Sequence, residues 1–257
     1  MGRLIVLDPA EAARIQRQFG VDDLQVRRDH LLSHLLAALT RHAVDQVIFF
    51  GGTALGRTHL TNGRLSEDLD LIAVGRRSDV AAVLDRQLPS AVRREYGQLR
   101  WVPALGGVRD VEPATLVSPD GLTVRVQLLN GAGYEPWPTE LRDLEQRYSD
   151  APPARLRVPT LAAFVAWKTV TWADRQLPRD LYDLWALAER GAIDRAARAL
   201  YVSHGPTGAP PASYLFDEVP TVDDWQRQLG SQTRLTVTPS EAAARVGAAW
   251  RSASDVS

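Results

Sequence analysis

The feature that most restricts this chain is the abrupt stop of Val47-Ile48-Phe49-Phe50 at Gly51-Gly52, with Thr53-Ala54-Leu55 following. A short apolar run ended by a breaker reads as a buried strand. Glycines at a strand-to-helix turn let the backbone approach a ligand and leave N–H groups pointing outward at a helix N-terminus, a ready phosphate site. A plain tight turn uses the same residues, so the pair alone does not decide. Further on, Asp68-Leu69-Asp70-Leu71-Ile72-Ala73-Val74 alternates and then turns apolar, as a central strand does when its leading end faces a site. Asp68 and Asp70 stand at i and i+2 on one face, so their carboxylates converge. Such a pair suits hard cations such as Mg2+, and two such ions clamp the attacking and leaving oxygens of a phosphoryl or nucleotidyl displacement. A solvated turn is the plainer reading of Asp-x-Asp by itself. Ser66 and the preceding Gly-Gly-Thr favour the site.

The rest of the chain frames that core. At 257 residues, 45% hydrophobic and 24% charged, there is material for one large or two modest folded domains. The absence of Cys excludes disulfides and thiolate metal sites, and a net charge of -1 excludes a chain basic all over but leaves room for a local basic groove. Residues 1–10 lack the apolar run of a secretion signal, and no later stretch reaches the roughly 20 apolar residues of a membrane span, so the expectation is a cytoplasmic protein.

Asp8-Pro9-Ala10-Glu11 starts a helix to about Gly20, and Asp22 or Asp23 caps a second one through Thr40. Strands are expected over 98–102, 111–117 and 122–129, with a helix over 79–88. Breakers follow at Pro136, Pro138 and Pro152-Pro153, after which the pattern is helical over 160–173, 178–190, 193–201 and 240–251. The expected organisation is an α+β part followed by a helical part, with a boundary near residue 155.

In combination, Gly51-Gly52-Thr53-Ala54-Leu55, Arg64-Leu65-Ser66-Glu67-Asp68-Leu69-Asp70-Leu71 and Arg179-Asp180-Leu181-Tyr182-Asp183-Leu184, preceded by Arg28-Asp29-His30-Leu31-Leu32, resemble the AbiEii/AbiGii toxin family, which includes the MenT toxins. That family belongs to the nucleotidyltransferase superfamily with the polymerase-beta-like fold, and the likeness covers about residues 24 to 190. It implies an α+β nucleotidyltransferase core with a small mixed sheet over 1–155 and a C-terminal helical domain over 156–257. It also implies a toxin, paired with a cognate antitoxin, that moves a nucleoside monophosphate from an NTP to RNA, in characterised relatives to the 3' acceptor end of tRNA. Carried onto this chain, Asp68 and Asp70 would hold Mg2+, Gly51, Gly52, Thr53 and Ser66 the triphosphate, and Lys168 would match the family lysine, with Asp180 completing the catalytic set.

Lys168 is also singular by composition, the only lysine among 30 basic residues. A compact ammonium on a flexible stem suits a triphosphate. It sits among Phe164, Val165 and Trp167, so a buried partner is required, and Asp180 serves if a helix starting at Pro178 folds back. Otherwise Asp180 only stabilises that helix start. One departure stands out: the superfamily often supplies a third carboxylate from a neighbouring strand, and the candidate position here is Gln127, whose amide is no general base. A small-molecule or protein acceptor, or an idle nucleotide-binding module, therefore stays open beside tRNA. Arg27-Arg28, Arg76-Arg77 and Arg93-Arg94 are candidates for RNA phosphates or merely solvated faces. Trp167, Trp172, Tyr182 and Trp185 read as core, and His30 with His34 as a polar helix face.

Overall fold

The computed structural model of the chain describes residues 7–132 and 137–255. The expectations resting on residues 1–6 and on the breaker Pro136 lie outside the described residues. Helix α1 (Pro9–Phe19) starts where Asp8 accepts the N–H groups of Ala10 and Glu11, and Gly20 ends it at φ 71°. Asp22 likewise caps α2 (Asp23–Ala43), which runs one turn past the expected end. Its Leu31, Leu32, Leu35, Leu36 and Leu39 are fully buried. Each such side chain contributes about 1.5–3 kcal/mol, and their helical spacing gives α2 the apolar face it buries within the unit.

Strand β1 (Val47–Phe50) passes directly into α3 (Gly51–Thr58), and β2 (Asp68–Ala73) follows. Helix α4 (Arg77–Ala91) is longer than expected, and the short α5 (Arg93–Tyr96) was not foreseen. Strands β3 (Arg100–Trp101) and β4 (Ala114–Val117) are shorter than expected, since Pro103 and Pro113 lack the N–H a ladder needs. Strand β5 (Thr123–Leu129) matches its expected span to one residue.

Beyond it the structure corrects the sequence reading, because β6 (Thr139–Leu144) and β7 (Ala154–Pro159) occupy the stretch taken as breakers. Ala154-Arg155-Leu156-Arg157-Val158 alternates buried and exposed, a period of two that the nearby prolines obscured. The helices α6 (Leu161–Arg175), α7 (Pro178–Glu189), α8 (Arg195–His204), α9 (Val222–Leu229) and α10 (Pro239–Asp255) complete the chain, α9 being additional to expectation.

The strands form one seven-stranded mixed sheet in the order β3-β4-β5-β2-β1-β7-β6. β2 lies antiparallel to β1, with Phe50 opposite Asp70, and parallel to β5, with Asp68 beside Arg125 and Asp70 beside Gln127. The chain divides into two compact units, one from the described residues of 1–134 and 140–158, the other from those of 135–139 and 159–257. The first is the α+β unit that carries the sheet. In the second, α7 packs on α6, α9 and α10, with Trp172, Leu181, Leu184, Trp225 and Trp250 buried.

Candidate functional site

Helix α3 is held from its far end. Arg57 Nη2 bonds Asp29 Oδ1 at 2.8 Å and the Asp29 carbonyl at 3.0 Å, while Arg147 Nη1 reaches the same Oδ1 at 3.2 Å and Tyr148 donates to Oδ2 at 3.1 Å. Burial lowers Arg57 to about 10 even with Asp29 beside it, so the guanidinium is still charged at neutral pH. A buried carboxylate shared by two guanidiniums and a phenol is an expensive arrangement to break. It joins α2, α3 and the 145–148 segment, and so fixes the direction in which the α3 N-terminus points.

That N-terminus has no side-chain cap. Its first N–H groups therefore have no intrahelical partner and carry the positive end of the helix dipole. Gly51 adopts φ +77°, and a Cβ on it would fall 2.0 Å from Asp70 Oδ2. A Cβ on Gly52 would fall 2.6 Å from Arg64 Nη2 and 3.0 Å from Ser66 Oγ. The glycine turn is thus packed directly on the second aspartate, on Ser66 and on the buried guanidinium of Arg64. No side chain larger than hydrogen leaves that approach intact.

Asp68 and Asp70 lie on one face of β2, both half-buried. In this structure Asp68 is met by Arg125 on β5, Nε to Oδ1 at 2.9 Å and Nη2 to Oδ2 at 2.7 Å. The hydrogen bonds from Asp68, and its charge, raise Arg125 above the usual guanidinium value. Thr53 is buried and donates its hydroxyl to the Asp68 carbonyl, so that side chain ties α3 to β2. Gln127 stands beside Asp70 and donates Nε2 to the Val111 carbonyl at 2.7 Å. An amide therefore occupies the cross-strand position next to the aspartate.

The donor set here is all oxygen, two carboxylates on one strand face, which fits hard divalent cations. Arg125 and Arg64 supply the positive charge on this face of the unit. Arg125 was missed from sequence, where its only signal is its place two residues before Gln127 on the same strand face.

Of the arginine pairs, Arg28 reaches Glu67 at 3.4 Å and the Thr123 carbonyl at 3.2 Å, at the leading end of β2. Arg27 pairs with Asp120. Arg77 is spent at the trailing end, its Nε donating to the Leu128 carbonyl at 2.7 Å, and Arg76, Arg93 and Arg94 are exposed.

In the helical unit Lys168 is buried, 3.2 Å from Asp180 Oδ1 and 2.7 Å from Asp183 Oδ2. Arg175 Nε adds 2.8 Å to Asp180 Oδ2. Burial alone would raise the Asp180 carboxyl, but Lys168 and Arg175 outweigh it and hold it below the ordinary range. Trp172 and Tyr182 are core as expected, whereas Trp167 is half-buried and stacked on Trp137. The polar face expected for His30 and His34 is also corrected: both are buried, and burial lowers His30 below the usual imidazole value despite Asp150 beside it.

The sequence profile described as nucleotidyl transferase AbiEii toxin, type IV toxin–antitoxin system, matches residues 34–249. Among solved structures, the MenT4 nucleotidyltransferase toxin of Mycobacterium tuberculosis superposes with a TM-score of 0.71 at 22% identity, covering 98% of this chain and 91% of that one. A candidate nucleotidyltransferase from H. pylori gives a TM-score of 0.51 at 16% identity, covering 86% and 93%. At such identities the likeness shows the fold. No curated protein matches in sequence.

Proposed function

The chain belongs to the AbiEii nucleotidyl transferase toxin family, and from that premise we propose that it transfers a nucleoside monophosphate from an NTP to the 3' acceptor end of tRNA and so blocks translation. The observation that carries the reading is the contact of Asp70 with Gly51 at an uncapped helix N-terminus. It sets acids of the kind that ligate hard cations beside N–H groups of the kind that hold phosphate, which supports the reading.

In this reading Asp68 and Asp70 hold Mg2+, which when bound neutralises triphosphate oxygens and lowers the pKa of the acceptor hydroxyl. The N–H groups of Gly52 and Thr53, with Ser66 Oγ, hold the triphosphate. Arg125, now paired with Asp68, would serve equally to hold a phosphate oxygen of the NTP, a guanidinium being suited to both. The acceptor hydroxyl oxygen bonds to the α-phosphorus and pyrophosphate leaves. Its proton goes to Asp70 or Asp68, since Gln127 has no basic lone pair to offer. Lys168 is proposed as a cation for the triphosphate, positioned by Asp180. Its ammonium is held between Asp180 and Asp183.

In the same reading the protein works in the cytoplasm beside a cognate antitoxin. Among the described residues no helix is long and apolar enough to cross a membrane. The test is incubation of the protein with total tRNA, Mg2+ and each α-labelled NTP in turn. Label at the tRNA 3' end, lost in Asp70→Asn, is the expected result. Label in a small molecule or a protein moves the acceptor to that class, and no label anywhere leaves a nucleotide-binding module.

A further inference from the structure

The buried histidines of α2 take no part in the site above. His30 and His34, one helical turn apart, both face Asp150, which lies 120 positions from His30 in the loop before β7. His30 Nε2 is 3.1 Å from Asp150 Oδ2 and 3.4 Å from His34 Nε2, and His34 Nε2 is 3.4 Å from the same Oδ2. These atoms form a nearly equilateral triangle. Metal–ligand bonds of about 2.0–2.1 Å at tetrahedral angles place neighbouring donor atoms about 3.3–3.4 Å apart, so the triangle has the dimensions of one face of a coordination shell.

The hydrogen bonding behind His30 points the same way. Tyr96 Oη touches His30 Nδ1 and lies 3.3 Å from the Arg27 carbonyl, an acceptor that can take the phenol proton and leave the imidazole Nδ1–H to donate to Oη. With the proton on Nδ1, Nε2 is a lone pair aimed at a carboxylate and at a second imidazole nitrogen. Electron-rich atoms at these separations repel unless a cation or proton stands among them. An outer hydrogen bond that fixes the tautomer is also what metal-ligating histidines use. The His30 and His34 side chains are 2% and 5% exposed and Asp150 is 25% exposed, which leaves an entry from the Asp150 side.

We propose that His30, His34 and Asp150 bind one divalent transition ion of the zinc class. Two imidazoles and a carboxylate favour such an ion over Mg2+, which separates this site from the all-oxygen pair of Asp68 and Asp70. The ion staples α2 to the loop before β7, within the α+β unit. A cavity of about 560 Å3 borders the cluster on its other side, lined by His30 and Tyr96 with Arg27 and Asp120, and it shares no residue with the glycine turn or the aspartates.

The test uses the tag-free full chain, stripped with a chelator and titrated with Zn2+ against a chromophoric chelator, with bound metal counted by mass spectrometry. Expected are one Zn2+ per chain, a rise in Tm of several degrees that follows ligand linkage, and visible d–d absorption on Co2+ loading. Asp150→Asn and His34→Ala should each weaken binding at least tenfold, while Asp68→Asn keeps the parent affinity. The part-exposed Asp150→Asn carries the decision if His34→Ala does not fold. Absence of stoichiometric Zn2+, Co2+ or Ni2+ binding in the parent overturns the proposal, as does parental affinity in Asp150→Asn. Neither result bears on nucleotidyl transfer, which is read separately.

Discussion

Arg125 faces Asp68 across the parallel β2–β5 pairing and holds both of its carboxylate oxygens, at 2.9 and 2.7 Å. The aspartate is thereby neutralised in the metal-free protein, and the guanidinium is a competitor for the ion. A pair this exposed is worth about 0.2–1 kcal/mol. Arg125→Ala should therefore tighten Mg2+ or Mn2+ binding by up to about fivefold while reducing nucleotidyl transfer, read by Mn2+ titration and by labelled product. Weaker metal binding in that variant would mean that Arg125 holds Asp68 in its ligating rotamer instead.

Asp68→Asn and Asp70→Asn should each lower transfer by a factor of about a thousand or more with the fold retained, the loss of a metal ligand being felt only in the reaction. Because Arg125 already neutralises Asp68, removing that charge should leave Tm within a few degrees of the parent. Circular dichroism and labelled transfer on the same samples check both halves.

Gly51→Ala should damage structure and chemistry together. A left-handed backbone costs a side-chain-bearing residue about 1–2 kcal/mol, and its Cβ would strike Asp70 Oδ2, 2.0 Å away in the present geometry. Gly52→Ala meets only the flexible end of Arg64 and Ser66 Oγ, so it should fold normally and lose NTP affinity. Thermal melts paired with nucleotide binding distinguish these two outcomes.

Lys168→Met removes the ammonium shared by Asp180 and Asp183 and leaves carboxylates buried with one cation fewer. Breaking a buried pair from one side costs about 3–5 kcal/mol. Lys168→Arg keeps the charge, but the fork cannot occupy the space of an ammonium 2.7 Å from Asp183 Oδ2, so transfer should fall several-fold more than stability. Parental activity in both Lys168→Arg and the uncharged Lys168→Met would make the residue purely structural. Denaturant melts and transfer rates, compared variant by variant, decide.

The Asp180 carboxyl, faced by Lys168, Arg175 and the neighbouring Asp183, is held below its ordinary value. Its unfolded counterpart titrates near pH 3.9, so the stability it confers is complete above that pH and is lost as pH falls through the lower folded value. Asp180→Asn should be less stable than the parent at neutral pH. The difference should shrink below about pH 4, as followed by urea melts at stepped pH.

What was legible in the sequence was what is local in the chain. The apolar run into Gly51-Gly52 and the alternation at Asp68 and Asp70 follow from backbone periodicity within about twenty residues, and the motif identified the family directly. Arg125 escaped notice because its importance lies in a register with Asp68 across 57 positions, which no local pattern encodes. The strands β6 and β7 were hidden by prolines at their flanks. The burial of His30 and His34 is not legible locally, because imidazole polarity suggests exposure and the partners that satisfy them, Tyr96 and Asp150, lie far along the chain.

The sheet order has a consequence for how the protein is born. β1 leads into the glycine turn, and its neighbours are β2, made almost at once, and β7, made about a hundred residues later. On a ribosome, one edge of β1 waits unpaired until Pro159 has emerged, although β2, which carries the aspartates, has both its neighbours once β5 is made. A nascent chain stopped before Ala154 should remain protease-sensitive around Phe50. That ordering leaves the strand feeding the glycine turn open along one edge through more than half of the chain's own translation.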